Sequence, residues 1–286
     1  MSVVIVHGTH DRDGNWWLET TPGDFAEQLD AGQTSGGADP DVWRIAGEPV
    51  GNYSQLTPSV ECSLWSGRKK PAFHNRGGRF CWSGGNAHGF GRIQAGIELA
   101  RYLETLSEIS PGEHIDIVAH SHDCNVVKQA TQELQHQVPV GRVIFLACPH
   151  FVDVQDQSLP YRLNPHLFEN HGGRPVLNFY SQEDTVQTSI AGTLPELALP
   201  QGLPGVDWLG FPGTPMVNAF RNDQDPNAAH LYEELEVNFN LCSGTQAHGA
   251  VHLPSVGRFL GIWLAQHPNV TAHDCLQHLD MGGQHD

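Results

Sequence analysis

A chain of 286 residues, 39% hydrophobic and 16% charged, can bury a full core as one large α/β domain or two small ones. Its net charge of −17, with only three lysines, excludes the basic patch of a nucleic-acid surface and a charge-driven hold on anionic membranes. No apolar run is long enough to span a bilayer.

Ser2–Val6 is a β-branched run that reads as a strand and ends in His7-Gly8-Thr9-His10. It is too short, and lacks the preceding basic region, to be a signal peptide, so none is expected. Six scattered cysteines (Cys62, Cys81, Cys124, Cys148, Cys242 and Cys275), with no Cys-x-x-Cys pair, fit reduced thiols packed in a cytoplasmic protein. Trp16 and Trp17 either line the mouth of a pocket, in contact with substrate, or pack beneath a loop. Residues 23–29 predict a short helix with Phe25, Ala26 and Leu29 on one side, followed by a Gly-, Ser- and Asp-rich surface loop over 31–40. Short strands are expected at 41–45 and 79–82. The helix expected over 91–107 has Ile93, Gly96, Ile97, Ala100 and Leu103 at core-facing spacing.

Ile115, Ile117 and Val118 then read as a buried strand, and residues 125–134 as a helix. Between them the chain turns sharply at Ser121. A serine on such a corner lies at the positive end of a helix dipole, with backbone N–H groups facing the same space, which suits a nucleophile with a developing oxyanion beside it. The uninterrupted apolar runs at 142–147 and 175–180 are typical of parallel strands buried on both faces. A further strand is expected at 235–241, then a loop to His252, then a helix over 254–265 with Pro254 in its first turn. Strands alternating with helices predict an α/β fold with a mostly parallel central sheet covered on both faces. Nearly fifty residues, 185–232, interrupt the rhythm before the last strand. Rich in Pro, Gly and Leu and carrying Trp208 and Phe211, they read as a lid or binding loop, or as an irregular packed excursion. With no repeats, residues 1–286 are expected to form a single domain bearing that insertion.

The five residues Ala119-His120-Ser121-His122-Asp123 resemble the Gly-x-Ser-x-Gly nucleophile elbow of the α/β-hydrolases, with both glycines replaced. Asp123 is the larger departure. It reads either as a carboxylate in a helix's first turn, worth ~0.3–1 kcal/mol against the dipole, or as a charge acting on His122 or the catalytic base. Trp82-Ser83-Gly84-Gly85-Asn86-Ala87-His88 is similar to a stretch in bacterial esterase- and lipase-like members of that family. The resemblance implies the α/β-hydrolase fold and a triad in the chain order Ser, acid, His. Ser121 is then the nucleophile, Asp184 the acid that follows a later strand, and His248 the base. His252 is the alternative base; the small Gly249 and Ala250 after His248 favour the latter. The resemblance further assigns the oxyanion hole to the N–H groups of Thr9 and His122.

The function implied is cleavage of a carboxylic ester through an acyl-enzyme, in the manner of an esterase or lipase, on a small-molecule or lipid-like substrate. Trp16, Trp17, Trp208 and Phe211 are the substrate-contacting candidates, and neither cofactor nor metal is expected. Two other readings stand beside it: a non-catalytic binding protein on the same fold, and a metal-dependent hydrolase using His120, His122 and Asp123. Oligomeric state is not legible in the sequence.

Overall fold

A computed structural model describes residues 2–6, 22–35, 44–45, 78–80, 89–109, 111–121, 123–134, 138–151, 162–169, 173–184, 216–217, 227–239, 245–251 and 253–279. The chain opens with β1 (Ser2–Val6), α1 (Pro22–Ser35), β2 (Arg44–Ile45), β3 (Gly78–Phe80) and α2 (Gly89–Ile109). It continues through β4 (Ile115–His120), α3 (Asp123–Glu133), β5 (Val140–Leu146) and β6 (His150–Phe151). The last part holds β7 (Val176–Tyr180), β8 (Met216–Val217), β9 (Tyr232–Glu236), α4 (Thr245–Ala250) and α5 (Pro254–Leu264), then a 3₁₀ turn at His273–His278.

The main sheet runs β2-β1-β4-β5-β7-β9, and every described pairing in it is parallel. β2 and β3 pair with successive residues of β1, Ser2–Val3 and Val4–Val6, and so share one lane beside it. All six residues of β4 and all seven of β5 are buried, as expected of central strands covered on both faces. Side chains alternate between two apolar clusters. Val4, Val6, Ile117, Ala119, Val143 and Phe145 pack with α2 and α3, through Leu99, Leu103, Val126 and Val127. Val3, Val118, Ile144, Leu146, Leu177 and Phe179 pack with α1 and α5, through Leu29, Phe259 and Trp263. Fully burying each large apolar side chain contributes about 1.5–3 kcal/mol.

Three expectations are corrected. The helix expected to end near Leu29 continues as α1 to Ser35, through residues whose composition suggested a loop. The cause is tertiary: α1 lies so close to α5 that a Cβ on Gly32 would strike the Arg258 carbonyl, and one on Gly257 or Gly261 would strike the Phe25 or Leu29 carbonyl. Packing along that seam outweighs the helix penalty of glycine, about 1 kcal/mol. The strand expected at 235–241 pairs at Tyr232–Glu236, where acidic residues mask the strand pattern. The segment 185–232 is not loop throughout, since Met216–Val217 pairs antiparallel with His150–Phe151. Residues 185–215 lie outside the described ones.

At the amino end of β4, Asp116 is buried and interrupts the ladder: the register to β5 shifts between Ile115 and Ile117, and Asp116 Oδ1 accepts from the Arg142 N–H at 2.6 Å. The Arg142 guanidinium donates to the carbonyls of Trp263 and His267 and lies 4.4 Å over the Trp263 ring. Burial pushes the Asp116 carboxyl up to about 6, with the Arg142 N–H and charge opposing it only in part. No described helix is long and apolar enough to cross a membrane.

Two outcomes follow for stability. Gly261→Ala is expected to lower unfolding free energy by ~1–3 kcal/mol in urea titration, whereas Gly249→Ala, which meets open space, should stay within about 0.5 kcal/mol. The folded state holds the Asp116 proton more tightly than the unfolded one, so stability falls as pH rises from 3.8 to about 6 and the penalty is complete above that. Asp116→Asn keeps the acceptor and removes the charge. The mutant-minus-wild-type stability difference should therefore rise across that window by up to roughly 1.4 kcal/mol per pH unit.

Candidate active site

Because the strands of the main sheet run one way, their carboxyl ends and following loops gather at one edge. β4 delivers Ser121 there directly. Its backbone turns to φ 56°, in the left-handed region, and its N–H donates to the Leu146 carbonyl of β5 at 2.8 Å. Its own carbonyl accepts from Cys124 N–H at 3.2 Å, which starts α3. A non-glycine residue held at positive φ is strained and persists only where its surroundings over-determine it. Here the ladder to β5 on one side and the helix start on the other impose the turn. Ala147, the residue after β5, also takes a positive φ, 48°, so two strained corners lie on adjacent strands.

Four residues beyond β7, Asp184 is 1% exposed, its N–H donating to the Ser181 carbonyl at 3.2 Å in a tight turn. Glu183, its neighbour and the other acid in that loop, is exposed. His248 lies within the short helix α4, where a loop was expected, and its Nδ1 is 2.7 Å from Asp184 Oδ2. The His248 side chain is 13% exposed and the Asp184 side chain 1%, so the pair is largely removed from solvent. A neutral imidazole whose Nδ1–H donates to a carboxylate presents Nε2 as a proton acceptor. The carboxylate also stabilises the imidazolium once that proton is taken. Sixty-four residues separate the two partners in the chain.

His120 takes a place that its sequence neighbourhood did not disclose. Its ring, 8% exposed, lies with its centroid 4.7 Å from that of His248 at an interplanar angle of 48°. The residue before Ser121 thus packs against the base candidate. Only the position beside Ser121 hinted at it, because the contact comes from α4, more than a hundred residues later. Asp123 is fully buried and opens α3 as the acid of its first turn. That is the helix-dipole placement, and its charge also helps hold the Cys124 thiol up.

Thr9, His122, Trp16, Trp17, Trp208, Phe211 and His252 lie outside the described residues. Among the described residues no three His, Cys, Asp or Glu side chains converge as a metal site requires.

No family model matches the chain, and no curated protein does. Among solved structures it is similar to a protein of Xanthomonas campestris pv. campestris provisionally described as a hydrolase of the alpha/beta superfamily. The match has 13% identity and a TM-score of 0.37, covering 92% of this chain and 96% of that one. So distant a likeness carries no argument about chemistry, and the site rests on its own geometry.

The strain at Ser121 has a direct consequence. Ser121→Gly and Ser121→Ala both delete the hydroxyl, but only glycine adopts positive φ without penalty. Ser121→Gly is expected to be more stable than Ser121→Ala by about 1 kcal/mol in thermal or urea unfolding.

Proposed function

We propose that the protein is a serine hydrolase that cleaves carboxylic esters through Ser121, His248 and Asp184. The observation that carries this reading is the buried 2.7 Å pairing of His248 Nδ1 with Asp184, at the sheet edge where Ser121 is held at positive φ. A serine hydroxyl is a weak nucleophile until a base takes its proton, and that base needs an orienting acid. In the proposed cycle His248 removes the Ser121 proton as Oγ attacks the ester carbonyl, and Asp184 stabilises the imidazolium. His248 then returns the proton to the departing alcohol, leaving an acyl-Ser121. Water, deprotonated by the same ring, attacks that acyl group and releases the acid. The N–H groups of Thr9 and His122 are the proposed donors to the oxyanion, with Trp16, Trp17, Trp208 and Phe211 as the apolar contacts for the acyl or alcohol part. Residues 185–232 serve in this reading as a lid or binding loop on a single domain. No metal or cofactor takes part in the proposed steps.

Fluorophosphonate labelling and turnover of p-nitrophenyl acyl esters test this together. Wild-type protein should label on Ser121 and turn over substrate with or without chelator. Ser121→Ala should lose the label, and Ser121→Ala, His248→Ala and Asp184→Asn should each lower kcat by ~10⁴ or more. A folded wild-type protein that neither labels nor turns over ester would replace this reading with a binding protein. Activity that survives in Ser121→Ala and vanishes with chelator would replace it with a metal-dependent hydrolase.

A further inference from the structure

Pairing with Asp184 fixes the His248 ring at one point only. Its Nδ1 lies 2.7 Å from Asp184 Oδ2, and its other tether is its own Cβ. The χ2 torsion of a histidine has a broad profile, so a ring held at those two points tilts about the line that joins them. Tilting moves Nε2, the atom that would take the Ser121 proton, toward the serine or away from it. The backbone beneath adds little restraint, because α4 is six residues long and a helix that short is not stable by itself. A third contact, off that line, is needed to set the plane of the ring.

His120 makes that contact. The centroid of its ring lies 4.7 Å from that of His248, and the two planes cross at 48°. Side chains alternate along β4, so His120 shares a face with Val118. The same face buries Ala250 of α4 and Val251 after it. The ring contact therefore continues the packing that holds α4 on the sheet. His120 is also firmly mounted. It pairs with Leu146 in the β4–β5 ladder, and the Leu146 carbonyl accepts from the Ser121 N–H at 2.8 Å. At 8% exposure its flank is shielded from water. The ring that abuts the base and the serine that the base must reach thus hang from consecutive residues.

We propose that His120 is a positioning residue for the base: its ring, one residue before Ser121, sets the plane of His248 and so aims Nε2 at the serine hydroxyl. This role rests on the serine-hydrolase reading and adds to it a restraint that Asp184 alone does not supply. Because ring and serine share one strand end, a displacement of Ser121 carries the ring with it and keeps base and nucleophile in step. Alanine at position 120 would leave a void on the flank of His248 into which the imidazole tilts. Phenylalanine would keep a planar ring of similar footprint. Misplacing a reacting group by about 1 Å costs on the order of 10² in rate.

The test compares wild type, His120→Ala and His120→Phe at a temperature where thermal unfolding shows each to be folded. The readouts are kcat and KM for p-nitrophenyl acyl esters and the rate of fluorophosphonate labelling. His120→Ala is expected to lose ~10–10² in kcat and in labelling rate with KM unchanged, because aim is lost and binding is not. His120→Phe should recover most of that loss. Proton NMR of the wild type gives a second reading that needs no turnover. The ring protons of His120 and His248 should cross-relax, and the single set of His248 ring signals should broaden or split in His120→Ala. A wild-type rate in His120→Ala, a change confined to KM, a His120→Phe no faster than His120→Ala, or rings that do not cross-relax would overturn the positioning role. Label on Ser121 of the wild type would still leave the triad standing in each of those cases. A folded wild type that takes no label removes the triad reading and this role together.

Discussion

Parallel pairing of β4, β5, β7 and β9 is the constraint on which the rest depends. A parallel ladder forces each strand to leave the sheet at the same edge and to return by a crossover that covers a face. The β4–β5 ladder extends one bond past the last strand residue, into the Ser121 N–H, and α3 begins immediately after. The left-handed turn at Ser121 is the local outcome of satisfying both demands within one residue. The β5–β7 and β7–β9 ladders place the Asp184 turn, after β7, at the same edge, one strand before the helix that follows β9 and carries His248.

Polar groups inside the fold divide by position. Toward the amino end of the sheet, Asp116 and Arg142 satisfy backbone groups: a displaced ladder N–H in one case, the last carbonyls of α5 and its following turn in the other. Glu233 does the same for the C-terminal segment, accepting from the N–H groups of Ala272 and His273 and from His273 Nδ1. These groups are buried at an electrostatic penalty, visible in the raised Asp116 carboxyl, which backbone satisfaction offsets. Toward the carboxyl end the buried polar groups face one another instead. Asp184 meets His248, and Lys128 meets Cys148 and His150.

The helices show the same balance between local preference and packing. α1 runs through Gly32 and Gln33 because α5 presents Gly257 and Gly261 to it, so the backbones approach where side chains would have kept them apart. α4, six residues long, has little stability of its own. It is held by the buried Ala247, Ala250 and Val251, which place His248 over both Asp184 and the His120 ring.

Short apolar runs and helical spacing gave the strands expected at 2–6, 115–118, 142–147 and 175–180 and the helices expected at 91–107, 125–134 and 254–265, because the apolar residues within a short window report which face each segment buries. The turn at Ser121 was legible from its motif, and chain order named Asp184 and His248 as candidate partners. Their mutual distance was not, since it depends on two ladders and a helix packed between residues sixty-four apart. The length of α1, the start of β9, the pairing of Met216–Val217 with His150–Phe151, the ring of His120 against His248 and the meeting of Lys128 with Cys148 were decided only by tertiary structure. Each is set by surfaces that come together across the fold, and a local window of sequence carries no record of what will lie against it.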